Sequence, residues 1–128
     1  MRSRGDALDY WDGNWIDCTV VVAAGGFRGE YVACLRAEEF VSFRRDLERL
    51  YAELRGQGQF RSMEEWVTLD FAGDGRGTFR GTCRLRDRAG DGNLLEFGIE
   101  FDQTDVPAMV RDLKEIEEAF PVVGDPGG

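Results

Sequence analysis

The residues best suited to chemistry are carboxylates and arginines that recur at even spacing in the second half of the chain. Glu96 and Glu100 are two such carboxylates, and a close pair can act as general acid and general base, as in a glycosidase. The preceding segment carries the opposite charge at Arg80, Arg84 and Arg86. Arginines opposite a carboxylate hold it ionised, which is the reverse of what a general acid requires. We therefore favour cross-strand ion pairs on a solvated surface over an active site, with a polar binding face as the alternative.

The segment 77–102 that contains these charges has the pattern of a β-hairpin. Apolar residues alternate with polar ones in both of its halves, at Phe79, Cys83 and Leu85 and then at Leu95, Phe97, Ile99 and Phe101. A glycine-rich stretch at 89–93 separates the halves. Period-two alternation on both sides of a turn predicts two antiparallel strands with one buried and one solvated face.

Two apolar stripes with helical spacing predict two amphipathic helices. The first stripe consists of Phe40, Phe43, Leu47, Leu50, Tyr51 and Leu54, and Gly56 is expected to end that helix. The second stripe consists of Val106, Met109, Val110, Leu113, Ile116 and Phe120. Thr104 or Asp105 is expected to cap the second helix, and Pro121 to end it.

Strands are also predicted at 15–24, 27–36 and 65–72, with a short one near 59–61. The resulting order, β-β-α-(β)-β-β-β-α, contains hairpins and no β-α-β crossover. The predicted fold class is α+β, with an antiparallel sheet of five to six strands and both helices packed on one face.

The length of 128 residues predicts one domain, residues 1–128. We expect an ordered core at about 10–121, with Tyr10 and Trp11 packed against it, and a disordered tail at 122–128.

Histidine is absent, which removes several kinds of site. There is no histidine general base, no Ser-His or Cys-His pair and no histidine-ligated metal. The net charge of −9 disfavours binding to nucleic acid and to an anionic membrane surface, since both are negatively charged. A partner selected by charge would be basic.

Most of the excess negative charge lies in the last 36 residues. From 93 to 128 there are nine acidic and two basic residues, a local net charge of −7. The exposed face of the second helix is expected to carry Arg111, Asp112, Lys114, Glu115 and Glu118. A charged helix face is usually only solvated, but this one is our best candidate for docking a basic partner.

Other motifs predict no cofactor and no metal. The glycines of the segment 73–77 match neither a phosphate-binding loop nor a dinucleotide fingerprint, so they read as a hairpin turn. The acidic residues near Asp12, Asp102 and Asp105 lack the ligand register of a calcium loop.

The cysteines and the N-terminus indicate the compartment. Three cysteines, an odd number without metal-ligand spacing, are expected to be plain thiols in a reducing environment. The first residues have no apolar run of a signal peptide, and no segment is apolar enough to span a bilayer. The cytoplasm is the expected location.

Trp66 is a separate candidate. If Val67, Leu69 and Phe71 face the helices, Trp66 is expected on the other side of the sheet with Thr68. There it would be covered by the N-terminal segment or would anchor a partner, and we favour the first alternative.

Several short motifs resemble a known family. They are Gly13-Asn14-Trp15-Ile16, Gly26-Phe27-x-Gly29, Phe40-x-x-Phe43-x-x-x-Leu47-x-x-Leu50, Glu64-Glu65 before Leu69, Gly77, Leu94-x-x-Phe97 and Asp102-Gln103-Thr104. Together they are similar to the WapI-type immunity proteins and related small bacterial domains, over residues 13–121. The resemblance implies a cytoplasmic protein that binds and neutralises a cognate contact-dependent toxin domain, often an RNA-cleaving one. It implies no particular binding residues.

The leading hypothesis is therefore a non-enzymatic immunity-type protein that works by occlusion. One rival is a carboxylate-based enzyme or small-ligand binder that uses the open sheet face around Trp66, Glu96 and Glu100. Another is a protein-interaction module with no toxin partner. The candidate partner-binding residues are Asp105, Asp112, Glu115, Glu118, Trp66, Glu96 and Glu100.

Overall fold

A computed structural model describes residues 3–4 and 13–123. The strands are β1 Ser3–Arg4, β2 Trp15–Ala24, β3 Phe27–Arg36, β4 Arg55–Arg61, β5 Val67–Asp74, β6 Thr78–Arg86 and β7 Leu94–Asp102. The helices are α1 Ala37–Glu53, between β3 and β4, and α2 Val106–Ala119, after β7. The α+β class and the order of strands and helices from β2 onward are as predicted.

The strands form two antiparallel sheets where a single sheet was expected. The first has the order β1-β2-β3 and the second the order β4-β5-β6-β7. The division follows from the connections: β3 leads directly into α1, and β4 pairs with β5 across the short turn 62–66. Within each sheet, consecutive strands therefore pair with each other, and the two sheets contact each other through a shared core.

The core lies against one face of the second sheet, on which both helices pack. Phe60 of β4, Phe71 of β5 and Phe79 of β6 are buried together with Leu47 of α1 and Leu113 of α2. Residues of the first sheet, among them Ile16, Cys18, Ala33 and Leu35, belong to the same cluster. Burial of each large apolar side chain contributes about 1.5–3 kcal/mol.

Edge-to-face aromatic contacts join α1 to the second sheet. The ring of Phe43 lies 5.6 Å from that of Phe60 and 6.0 Å from that of Phe71. Gly58 of β4 leaves room for this contact, since a Cβ there would approach Phe71 to 2.7 Å and Leu50 to 2.8 Å. A side chain at this position would therefore require Phe71 or Leu50 to shift.

The boundaries of three elements differ from the predictions. α1 ends at Glu53, and Leu54 adopts a left-handed conformation (φ 61°) that turns the chain before Gly56 is reached. β4 covers seven residues and begins at Arg55, well before the short strand expected at 59–61. β5 begins at Val67, because the turn 62–66 includes Trp66. Tyr51, placed in the apolar stripe of the first helix, is half exposed.

Asn14 ties the start of β2 to the segment after α2. Its side-chain amide donates to the carbonyl of Val123 at 3.0 Å, and its oxygen accepts from the Val123 N–H at 2.9 Å. Of the disordered tail expected at 122–128, the structure describes Val122 and Val123, and Val123 is held by Asn14. The rest of that tail, and the expected packing of Tyr10 and Trp11, fall outside the described residues.

Candidate functional site

The outer face of the second sheet carries rows of paired charges. Arg84 of β6 lies opposite Glu96 of β7, with Nε and Oε2 2.7 Å apart. Arg80 lies opposite Glu100 at 3.2 Å. These side chains are more than half exposed. Two of the predicted cross-strand ion pairs are therefore present. The prediction was wrong for Arg86, which lies opposite Leu94 and donates to the Gly92 carbonyl at 3.2 Å.

This pairing bears on the acid/base alternative. Each candidate carboxylate, Glu96 and Glu100, accepts a hydrogen bond from its own arginine on β6, so the two side chains form separate ion pairs on the sheet surface. Within residues 3–4 and 13–123, no cluster of cysteine, aspartate and glutamate could hold a metal ion.

A groove among the described residues begins beside these rows and runs along β4. It encloses about 610 Å³ and is lined by polar and charged groups that include Asp46, Arg49, Asp70 and Arg80. Asp46 and Arg49 also bond to β4, since Asp46 accepts from the Gln59 N–H at 3.0 Å and Arg49 donates to the Gln57 carbonyl. The side chains of Asp46 and Arg49 therefore bond to the backbone of β4 and do not form a joint binding site in the groove.

The exposed side of α2 presents an acidic stripe. Asp112, Glu115 and Glu118 follow one another at intervals of three residues and are exposed. Asp112 has Arg111 at 3.9 Å, whereas Glu115 and Glu118 form no ion pair with any described residue. Two carboxylates of this stripe are therefore available to a cation from outside.

Asp105 has a different structural role from the residues of the acidic stripe. It is the N-cap residue of α2, and its Oδ2 accepts a hydrogen bond from the N–H of Asp102 at 3.0 Å. Its side chain makes no hydrogen bond to the first turn of the helix. Asp105 thus closes the turn between β7 and α2 and remains exposed.

Trp66 lies on the inner side of the second sheet and not on the charged face. Its ring is stacked on that of Tyr31, with centroids 6.3 Å apart, and it packs against the core. The Tyr31 hydroxyl donates to the Trp66 carbonyl at 2.6 Å. The expected alternation fails because Trp66 belongs to the turn before β5, where the period-two rule does not apply.

Glu39 is a half-buried ionisable group that the sequence did not single out. Burial raises the pKa of Glu39 to about 7, although hydrogen bonds from the backbone N–H groups of Arg36, at 2.7 Å, and Met63 oppose this shift. An acidic residue in the first turn of a helix is ordinary, so the sequence held no signal for it. The turn 62–66 folding over the start of α1 creates the burial.

The cysteines are free thiols. Burial raises the pKa of Cys18 and of Cys83 to about 11, and it also raises the pKa of Cys34. A thiol with a raised pKa is a poor nucleophile, because the thiolate is the reactive form.

Comparison with known protein families matches residues 2–121 to the immunity protein WapI-like family. The chain belongs to this family. No curated protein and no solved structure matches the chain significantly. In the described residues, no helix is long and apolar enough to cross a membrane.

The motifs that resemble the WapI-like family hold turns and chain ends together. Gly77, at φ 108°, accepts a hydrogen bond at its carbonyl from the Gln103 N–H at 2.7 Å, and a Cβ at Gly77 would meet the Gln103 side chain at 2.8 Å. Asp102 accepts from the Thr104 N–H at 2.8 Å. Together with the buried Asn14, these contacts give three of the motifs a structural role.

Proposed function

We propose that this chain is a non-enzymatic immunity protein that binds a cognate toxin domain and neutralises it by occluding its working surface. The observation that carries the proposal is membership of an immunity family over residues 2–121. The ion-paired sheet face and the structural role of the motifs support a binding role in preference to a catalytic one.

The partner is proposed to be basic, as the substrate cleft of a nuclease is. Glu115 and Glu118 are exposed and form no ion pair with the described residues, so a cationic surface could approach them without displacing an existing partner. Charge complementarity of this kind mainly raises the association rate and selects against acidic competitors. An acidic inhibitor that covers a basic cleft excludes the nucleic acid that the cleft binds.

The single domain is proposed to act alone, in the cytoplasm, where an RNA-cleaving toxin would meet its substrate. This reading requires no metal and no cofactor. The candidate contact residues are Asp112, Glu115 and Glu118 of α2, with Glu96 and Glu100 of β7 and Asp105 between the two elements.

The test is co-expression with C-terminal toxin domains encoded in the genome from which the chain derives. One such domain should arrest growth when expressed alone and have no effect when this chain is expressed with it. A catalytically inactive form of that toxin domain should co-purify with the chain in a stoichiometric complex. If the chain protects against none of the toxic domains of that genome, the proposal is refuted.

A further inference from the structure

The two edge strands of the second sheet, β4 and β7, differ in whether other groups bond to their outward-facing backbone. At the β4 edge, side chains of α1 occupy backbone groups that point outward, because Asp46 accepts from the Gln59 N–H and Arg49 donates to the Gln57 carbonyl. These two contacts oppose the pairing of another strand at the β4 edge. β7 forms the opposite edge and pairs only with β6 among the described residues.

The hydrogen bonds at both ends of β7 show which of its backbone groups point outward. The Gln103 N–H donates to Gly77, and the Asn93 carbonyl accepts from Asp87, so odd-numbered residues bond toward β6. The Asp102 N–H instead bonds to Asp105, away from β6. In an antiparallel pair this alternation continues along the strand. The backbone groups of Leu94, Glu96, Gly98 and Glu100 therefore face outward, and no described residue bonds to them.

The side chains of β7 are also incompletely covered. On the inner face Leu95, Phe97, Ile99 and Phe101 are all half-buried, whereas their neighbours Phe79, Cys83 and Leu85 on β6 are buried. A groove of about 420 Å³ lies between Phe97–Glu100 and the tip of the β2–β3 hairpin at Ala23–Gly25. The strand has nine residues and no lysine or proline, which commonly protect exposed edges.

From these observations we infer that β7 is a docking edge that adds an extended strand of the partner, with basic and apolar residues alternating along it. The backbone groups of the added strand would pair with those of Glu96, Gly98 and Glu100. Its apolar side chains would cover the inner face beside Phe97 and Ile99. Strand addition of this kind is an established mode of peptide recognition.

Charge decides between a foreign strand and a second copy of this chain. On the outer face Glu96 and Glu100 adjoin the next position beyond β7, and each already has an arginine on its other side. A basic residue on the added strand would place each carboxylate between two cations. A second copy paired about Gly98 would instead set Glu96 directly opposite Glu100 of the other copy, and like charges directly opposite are destabilising.

The inference rests on the proposed function only in naming the toxin domain as the source of the strand. Its test uses synthetic peptides and no toxin, so the two proposals can fail separately. The probe is a capped nine-residue peptide of alternating lysine and valine, which matches the length of β7. One control peptide has glutamate in place of lysine, and another has alternate backbone amides methylated.

Residue-resolved amide exchange is measured on the full chain with and without each peptide. The lysine peptide should slow exchange at Glu96, Gly98 and Glu100 by about fivefold or more, because these amides gain backbone acceptors. The glutamate and methylated peptides should bind about tenfold more weakly or not at all. No slowing with the lysine peptide, or equal binding of the methylated peptide, would overturn the inference.

Protection of the same three amides in the free chain would also overturn it, and sedimentation would then show whether a second copy covers the edge. The double variant Glu96→Lys/Glu100→Lys should prefer the glutamate peptide. The matched variant Glu53→Lys/Glu64→Lys makes the same change in charge at two exposed positions away from β7 and α2 and should retain the wild-type preference. If the two variants change the peptide preference equally, the interaction depends only on net charge, and β7 is excluded as the binding site.

Discussion

The side-chain amide of Asn14 makes two hydrogen bonds to the backbone of Val123, 109 positions away in sequence. Asn14 is fully buried, and its own carbonyl accepts from the N–H of Ala37 at the start of α1. One residue therefore joins the first sheet, the first helix and the segment that follows the last helix.

Replacement of Asn14 by alanine should lower the free energy of unfolding by about 2–3 kcal/mol, because two backbone groups of Val123 lose their partners. Deletion of residues 122–128 should cost a similar amount, and urea unfolding of the double variant should show that the two losses do not add. Deletion of 124–128 alone leaves Val123 in place and should preserve the full effect of Asn14→Ala. Additive losses would mean that the link to Val123 contributes nothing.

Charge reversal on α2 tests the docking role of its acidic stripe. The triple variant Asp112→Lys/Glu115→Lys/Glu118→Lys should associate with the basic toxin domain about tenfold more slowly or worse at low salt, with a smaller difference at high salt. Stopped-flow mixing with the inactive toxin domain measures the rate.

The matched control for that variant is Glu30→Lys/Glu53→Lys/Glu64→Lys, which changes three exposed acidic residues elsewhere and alters net charge equally. Its association rate should fall less. If both triple variants slow association to the same extent, only net charge matters and α2 has no specific docking role.

Glu39 should make stability depend on pH between about 4.5 and 7. Its pKa is raised from 4.5 to about 7 in the folded chain, so its contribution is fully present below pH 4.5 and is lost as pH rises through 7. The shift sets an upper limit of about 3 kcal/mol, and solvent screening of this partly exposed group reduces the expected loss to about 1–2 kcal/mol.

The variant Glu39→Gln cannot ionise, so its free energy of unfolding should fall less than that of the wild type between pH 4.5 and pH 8. Denaturant titrations at several pH values measure the difference between the two curves. Glu53→Gln, an exposed change on the same helix, should follow the wild-type curve. Parallel curves for wild type and Glu39→Gln would contradict the raised pKa.

Glu65 has a positive φ of 62° and is exposed. A residue with a Cβ is strained in this conformation, so Glu65→Gly should raise the free energy of unfolding by about 0.5–1 kcal/mol. Glu64→Gly, at the adjacent position without positive φ, should lower it slightly through the entropy of the unfolded chain. Thermal and urea unfolding of the pair give the answer, and a loss of stability in Glu65→Gly would be inconsistent with strain at this turn.

Local patterns in the sequence predicted much of the fold. The alternation of 15–24 and 27–36 gave strands with the observed bounds, and the paired charges of Arg80 with Glu100 and Arg84 with Glu96 followed from the hairpin register. These features depend on neighbours in sequence or on one turn, and period and turn chemistry specify such contacts well. The motifs also sufficed to place the chain in its family.

Tertiary structure alone decided which surfaces are covered. Trp66 faces Tyr31 because the turn 62–66 folds over the core, and the backbone of Met63 in the same turn donates a hydrogen bond to the half-buried Glu39. The separation into two sheets and the contacts of α1 with the edge of β4 likewise depend on tertiary structure. Such relationships join residues far apart in the chain, and a periodic pattern states which face of an element is apolar but not what packs against it.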